Sequence, residues 1–507
     1  MKRGNKVVLN TFIIYGRMLL TVGISLYATR LVLNALGDSD YGVFNLVAGV
    51  IAMLSFLSNT MATSTQRFLS YYQGKEDIPS QKKIFATSFF LHLIMASAIM
   101  LLLFLSSGFF FNGFLNIPPD RLIAAKGLFY FMIVSVFFTI IAVPFYGTLI
   151  AHENMLFVAI VNILEVLLRV IAAFALYHVS IDRLLAYGAF MAAIPLLSFI
   201  MYAVYCVRKY KECKISYEYY NRDMFKQLSS FASWNLFGSL ASMGRLQGTA
   251  VLFNLFLGTI VNAAYGIANQ VSSQVNFFSS TLIRALDPQI MKSEGAHDRQ
   301  RTLGLSLIAC KFGFFLIAVV AIPCIVEMDG ILTFWLKNVP AYTVVFCQLI
   351  LIGMMINQLS IGLQSAIQAV GRVKLYQIVV SIILLCNLPF AYILLKLNCS
   401  PNLVLVLYCV IELFASFWKL LFLKLTVSLS INSYLKRVFL PTLLPCLISL
   451  GVAICCRNYI SINFRFIITL ACSGLLFMLT AYAVGLDTEE RTRVNTLLSN
   501  LLKNIKI

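Results

Sequence analysis

The chain has 507 residues, 60% of them apolar and 12% charged, and a net charge of +19. A soluble domain carries about twice that charged fraction, so a soluble fold is excluded, and the basic excess is read as membrane topology rather than as a nucleic-acid surface. All twelve cysteines follow position 205 with no CxxC pair or Cys/His cluster, so neither a metal site nor a cofactor is expected.

A spanning helix needs roughly 20 mostly apolar residues, because its backbone polar groups must be satisfied internally. Apolar runs meeting that requirement predict helices over 10–36, 41–64, 84–111, 124–150, 155–177, 184–207, 229–257, 262–283, 303–326, 341–370, 375–395, 402–423, 438–456 and 466–485. The first run is too long for a cleaved signal and no small-residue cleavage site follows it, so the first helix is expected to be retained. The fold class expected is therefore all-α integral membrane, with about fourteen transmembrane helices.

With the N-terminus in the cytoplasm, 27 of the 39 Lys and Arg residues fall in inside segments and 7 in outside segments. This alternation places both termini in the cytoplasm of a multi-pass inner (plasma) membrane protein. After Asp487, a capping box with Glu490 precedes a stripe of Val494, Leu497, Leu498, Leu501, Leu502 and Ile505, predicting an amphipathic tail on the membrane surface.

The halves of the chain echo each other. Leu36-Gly37 and Tyr41-Gly42-Val43 recur as Leu257-Gly258 and Tyr265-Gly266-Ile267, and Pro118 after Phe114-Leu115-Asn116-Ile117 matches Pro340 after Trp335. A duplication predicts two parallel-repeat six-helix lobes at 1–207 and 229–425, joined by a basic cytoplasmic linker at 208–228. Two added helices occupy 426–486 and the tail 487–507.

Polar residues in lipid are costly unless they face protein or water. Asn262, Gly266, Asn269, Ser273, Asn276 and Ser280 step by three or four along one helical face, as do Asn235, Gly238, Ser242, Arg245 and Thr249. Asn45, Gly49, Asn59 and Thr63 repeat the pattern, and Arg17, Thr21 and Ser25 form a shorter one. Packing by small and amide residues is the competing role. Taken together, the stripes on the first two helices of each half point to a central cavity lined by arginines and amides, without a carboxylate. Arginine suits phosphate and amides suit hydroxyls, so the cargo expected is anionic and polyhydroxylated. Glu165 and Arg169 form an i, i+4 pair, Glu412 has Lys419 two turns on, and Lys311 is placed to stretch back to the cytoplasmic surface. Glu165 and Glu412 are the candidates for ion coupling.

The 6 + 6 + 2 layout and the stretch Asn254, Gly258, Asn262-Ala263-Ala264-Tyr265-Gly266-Ile267-Ala268 to Pro288-Gln289-Ile290 resemble the polysaccharide-unit flippases of O-antigen and capsule type. These belong to the multidrug/oligosaccharidyl-lipid/polysaccharide (MOP) exporter superfamily. The resemblance implies a two-lobed, V-shaped, MATE-like bundle that moves undecaprenyl-pyrophosphate-linked sugar units by alternating access, and no enzyme activity. It implies that Arg17 and Arg245, followed by Arg30, Arg67 and Arg284, hold the pyrophosphate. It also implies membrane lipids, a polysaccharide polymerase and glycosyltransferases as partners. A multidrug or cation antiporter, a lipid II flippase and a membrane-embedded glycosyltransferase are the alternatives. No Walker-type motif is present for direct ATP drive.

Overall fold

The computed structural model describes residues 3–52, 55–111, 117–180, 182–460, 464–492, 494 and 495; the side chains of Arg17 and Asn59 lie outside the described residues. The described residues form helices and turns, without strands. Two compact units divide at Leu236/Phe237.

The first unit contains α1 (Arg3–Ala52), α2 (Ser55–Gly74), α3 (Ile78–Phe109), α4 (Leu122–Ile141), α5 (Val143–Ala151), α6 (Met155–Ala175) and α7 (Arg183–Lys209). Helix α1 packs on α6, α4 on α7 and α2 on α5. The core between them holds Val43, Val47, Leu128, Phe129 and Ile133 near one end, and Val32, Ala35, Ala173 and Tyr187 beside it. Helix α8 (Arg222–Gly295) starts in this unit and continues into the second.

The second unit adds α9 (Arg299–Val326), α10 (Met328–Leu336), α11 (Thr343–Gln358), α12 (Ile361–Val370), α13 (Val373–Leu385) and α14 (Asn387–Lys396). It ends with α15 (Pro401–Val427), α16 (Ile431–Tyr434), α17 (Leu440–Tyr459) and α18 (Arg465–Thr480). Helix α9 is its hub, touching α11, α12, α17 and α18. Phe253, Ala264, Ile317, Phe346 and Leu351 pack the core around it.

Among the described residues ten helices are long and apolar enough to cross a membrane, or eleven with the bent pair Thr343–Gln358 and Ile361–Val370. The 74-residue α8 counts once among them, yet it covers two expected spans and is broken at Gly258. The first two expected spans lie in α1 and α2, with the break at Gly37. The helix count is thus compatible with fourteen spans. Instead of the loops expected near 37–40 and 258–261, each break is one glycine, at φ 79°, ψ 168° and φ 80°, ψ −171°. That backbone region is essentially closed to residues with a Cβ. The outside segment 327–340, expected as a loop, carries the short helix α10.

The echo between the halves has a structural register. Gly37 and Gly258 lie 221 residues apart, and so do the turns that follow α2 and α8. In those turns Glu76 and His297 take positive φ, and Asp77 and Asp298 cap the next helix by accepting from Ser80 N and Arg301 N at 3.0 Å. The Tyr41/Tyr265 echo, offset by 224, therefore sits three residues, nearly one turn, out of register.

Polar contacts gather segments assigned to one side of the membrane. Arg121 binds Asp182 at 2.7 Å and grips Asp40 through two nitrogens, while Arg183 donates to Ala35 O at 3.1 Å. At the opposite end of this unit His152 pairs with Glu212, and Asn154 donates to Tyr205 Oη and Tyr210 Oη. In the second unit Arg465 donates to both oxygens of Glu327, at 2.8 and 2.9 Å, and Arg457 to Val326 O. Lys311, expected to reach the surface, is instead 1% exposed and ion-paired with Glu490. Glu490 also closes the expected capping box by accepting from Asp487 N at 2.9 Å. The tail beyond 495 lies outside the described residues.

Candidate functional site

Helix α8 carries a long polar face. Past Gly258, Gly266, Gln270, Ser273, Gln274, Asn276 and Arg284 are exposed, while Asn262, Asn269 and Ser280 are half-buried. Several of these groups are satisfied within their own helix: Asn269 donates to Tyr265 O at 2.9 Å and Ser273 to Gln270 O at 2.8 Å. Asn276 accepts from Gln358 of α11 at 3.1 Å, and Gln358 accepts from buried Ser279 at 2.6 Å. Before the break, Asn235 is buried and donates to Phe231 O, Ser242 is exposed, and Thr249 is buried and accepts from Asn387 of α14 at 3.2 Å. Asn45 of α1 is exposed, and Thr21 and Ser25 are half-buried.

Arg245 sits in mid-helix and is 14% exposed. Its Nη2 lies 2.7 Å from Glu412 Oε1 on α15, and Glu412 is 2% exposed. The other carboxylate oxygen accepts from Asn357 Nδ2 of α11 at 2.9 Å. The guanidinium carbon stands 4.8 Å from the ring centroid of Tyr408, one turn before Glu412. One guanidinium nitrogen, Nη1, is buried without a hydrogen-bond partner. Three helices thus converge on one cation, and the pair with Glu412 corrects the expectation of an arginine face without a carboxylate. Glu412 holds a cation 167 positions away in the chain, rather than Lys419 alone; Lys419 is itself buried two turns further along α15.

The other arginines are not gathered at this cluster. Arg67 is 7% exposed and lies against Phe68, Tyr71 and Phe231, with centroid distances of 4.5, 5.0 and 5.4 Å, all within the first unit. Arg30 and Arg284 are exposed, and Glu165 on α6 is half-buried. The residues missed in the sequence are the polar partners on α11, α14 and α15: Asn357, Gln358, Asn387 and Tyr408. Polar positions inside apolar runs were visible there, but no periodic stripe marked them. Among the described residues no group of His, Cys, Asp and Glu is placed to hold a metal ion.

The fold defines a multi-pass helical membrane protein, and it is the fold of solved MATE and MOP superfamily transporters. A MATE protein in its straight conformation superposes with a TM-score of 0.72 at 13% identity, covering 84% of this chain and 97% of that one. A MOP superfamily transporter from Pyrococcus furiosus gives 0.70 at 13% identity, covering 84% and 96%. At that identity the likeness establishes the fold. Within this class, the family model for "Polysaccharide biosynthesis protein" matches residues 7–294, and the chain belongs to that family. A Salmonella typhi protein with the provisional name O-antigen transporter is 25% identical over 279 residues, or 53% of this chain. The match spans 61% of that relative's length.

Proposed function

We propose that the protein is a flippase that carries undecaprenyl-pyrophosphate-linked oligosaccharide units across the inner membrane by alternating access, for surface polysaccharide assembly. The observation that carries this reading is the exposed face of α8, where Gln270, Ser273, Gln274 and Asn276 leave hydroxyls and amides uncovered on a membrane-spanning helix. Such a face is costly against lipid and suits a wet path for sugar hydroxyls. Family membership and the MOP fold support the same reading, as does the relative's name.

In this reading only the head group needs a polar path, and the polyprenyl chain stays in the bilayer. Arg245 supplies the charge for the pyrophosphate, since its planar fork binds two phosphate oxygens at once. Glu412 is its resident counter-ion, stabilising the buried cation while no phosphate is bound. Both termini face the cytoplasm, where glycosyltransferases deliver the substrate, and a polymerase receives it outside. Arg17, Arg30, Arg67 and Arg284 are further candidates for the phosphate path.

The test is transport of a fluorescent undecaprenyl-pyrophosphate oligosaccharide in proteoliposomes, read by protection from an impermeant glycosidase. The reading requires protein-dependent exchange between leaflets. Extrusion of cationic dyes with no movement of lipid-linked sugar would transfer the protein to the drug-export branch.

A further inference from the structure

Away from α8, the first turn of α6 and the last turns of α7 line an open groove of about 600 Å³. Its walls are apolar, with Phe157 from α6 and Ile200, Met201 and Val204 from α7. Phe157 stacks on Tyr205, ring centroids 3.8 Å apart and planes 15° from parallel. Exposed Leu156 and Ile160 continue the apolar surface along α6.

Two cations, Arg208 and Lys209, close one end of the groove. Lys209 Nζ donates to Tyr205 Oη at 2.6 Å and stands 4.9 Å from the centre of that ring. Tyr205 Oη also accepts from Asn154 Nδ2 at 2.7 Å, so the ammonium is anchored to a fixed group rather than ranging through solvent. Arg208 is exposed beside it. Glu212, three residues after Lys209, is buried against His152 and is engaged there. Val204 and Ile200 precede Arg208 by four and eight residues, about 6 and 12 Å along a helix. The groove therefore runs from a cationic rim toward the interior of an apolar span.

A cationic rim above an apolar trough is complementary to an amphiphile with an anionic head. We infer that this groove binds one anionic phospholipid, its phosphate held by Arg208 and Lys209 and the start of an acyl chain lying along Val204 and Ile200. A zwitterionic phospholipid brings its own ammonium to the same rim and gains less there. The site is independent of the transport reading, because none of its residues lies on α8.

Native mass spectrometry of the full-length protein, titrated with phosphatidylglycerol or phosphatidylethanolamine of identical acyl chains, tests the assignment. Wild type is expected to retain phosphatidylglycerol preferentially. At low ionic strength each basic residue near a lipid head contributes roughly fivefold, so R208Q/K209Q should weaken phosphatidylglycerol roughly 25-fold and leave phosphatidylethanolamine unchanged. Met201→Trp, which fills the trough and keeps the rim, should weaken both lipids. Circular dichroism and size-exclusion elution confirm that each variant is folded. An unchanged lipid preference in R208Q/K209Q overturns the site. So does full competition by inorganic phosphate alone, or displacement of phosphatidylglycerol by undecaprenyl phosphate at equal concentration, which would give the groove to a polyprenyl carrier.

Discussion

Replacing Glu412 with alanine would leave the Arg245 guanidinium without a counter-charge at a position 14% exposed, and would remove the acceptor of Asn357. Breaking a buried ion pair from one side costs about 3–5 kcal/mol, because the remaining charge is neither solvated nor paired. At about 2 °C per kcal/mol for a unit of this size, Tm in a fixed detergent should fall by roughly 6–10 °C. Replacing both partners with apolar residues of similar volume, R245M/E412L, removes the stranded charge and should recover most of that loss. The cycle of E412L, R245M and the double variant, followed by thermal unfolding, should therefore be strongly non-additive, with an interaction energy of about 2–3 kcal/mol. Additive losses would refute the pairing, and with it the claim that Glu412 is the resident partner of Arg245.

Other positions give sharper local tests. Gly258→Ala meets no atom within 4 Å but must hold φ near +80°, so it should cost about 1–3 kcal/mol, while Gly266→Ala in the same helix, equally open and with ordinary φ, should be neutral or stabilising. Arg121→Met should cost about 2 kcal/mol at neutral pH by unpairing Asp40 and Asp182. Burial raises the Asp182 carboxyl, but the hydrogen bonds from Arg121 and two backbone amides outweigh it and hold the group below its usual 3.8. Its contribution is therefore complete above that value and lost as pH falls through the lower folded value, so the gap between wild type and R121M should narrow only below about pH 4. Glu490→Ala strands Lys311, which is 1% exposed, and should lower Tm, whereas K311M/E490A should restore it. In intact cells, with the twelve native cysteines replaced by serine or alanine, a cysteine introduced at Glu76 should resist an impermeant maleimide and one at Asn338 should react. The reverse pattern would invert the topology.

The sequence carried the spans well because lipid imposes one rule on each of them. Met155–Ala175, Arg183–Lys209 and Pro401–Val427 begin within one residue of the starts expected from apolar length. The glycine breaks were visible as a repeated Leu-Gly pair, though what they do to the backbone was not: a loop and a one-residue kink read alike in a string of letters. The Tyr-Gly echo misled the register by three residues, because the aligned letters carry no mark of where the helices start and stop; Asp77 and Asp298 do. The polar stripes on α8 were legible from a period of 3.6 along a single helix. The partnership of Arg245 and Glu412 was not, since it depends on how α8 and α15 are rotated toward each other. Arg67 read only as a candidate for the pyrophosphate; its burial against Phe231 comes from the start of α8 packing on α2.

The central claim is that a folded α8 cluster, with Arg245 as its cation, moves an anionic lipid-linked sugar. The most direct measurement is the initial flipping rate of labelled undecaprenyl-pyrophosphate oligosaccharide in proteoliposomes of wild type and R245M/E412L at matched reconstitution. The account predicts rapid exchange by wild type and loss of most of that rate in the double variant, despite a near-native Tm. Equal rates in the two proteins, or no exchange by either, would contradict it.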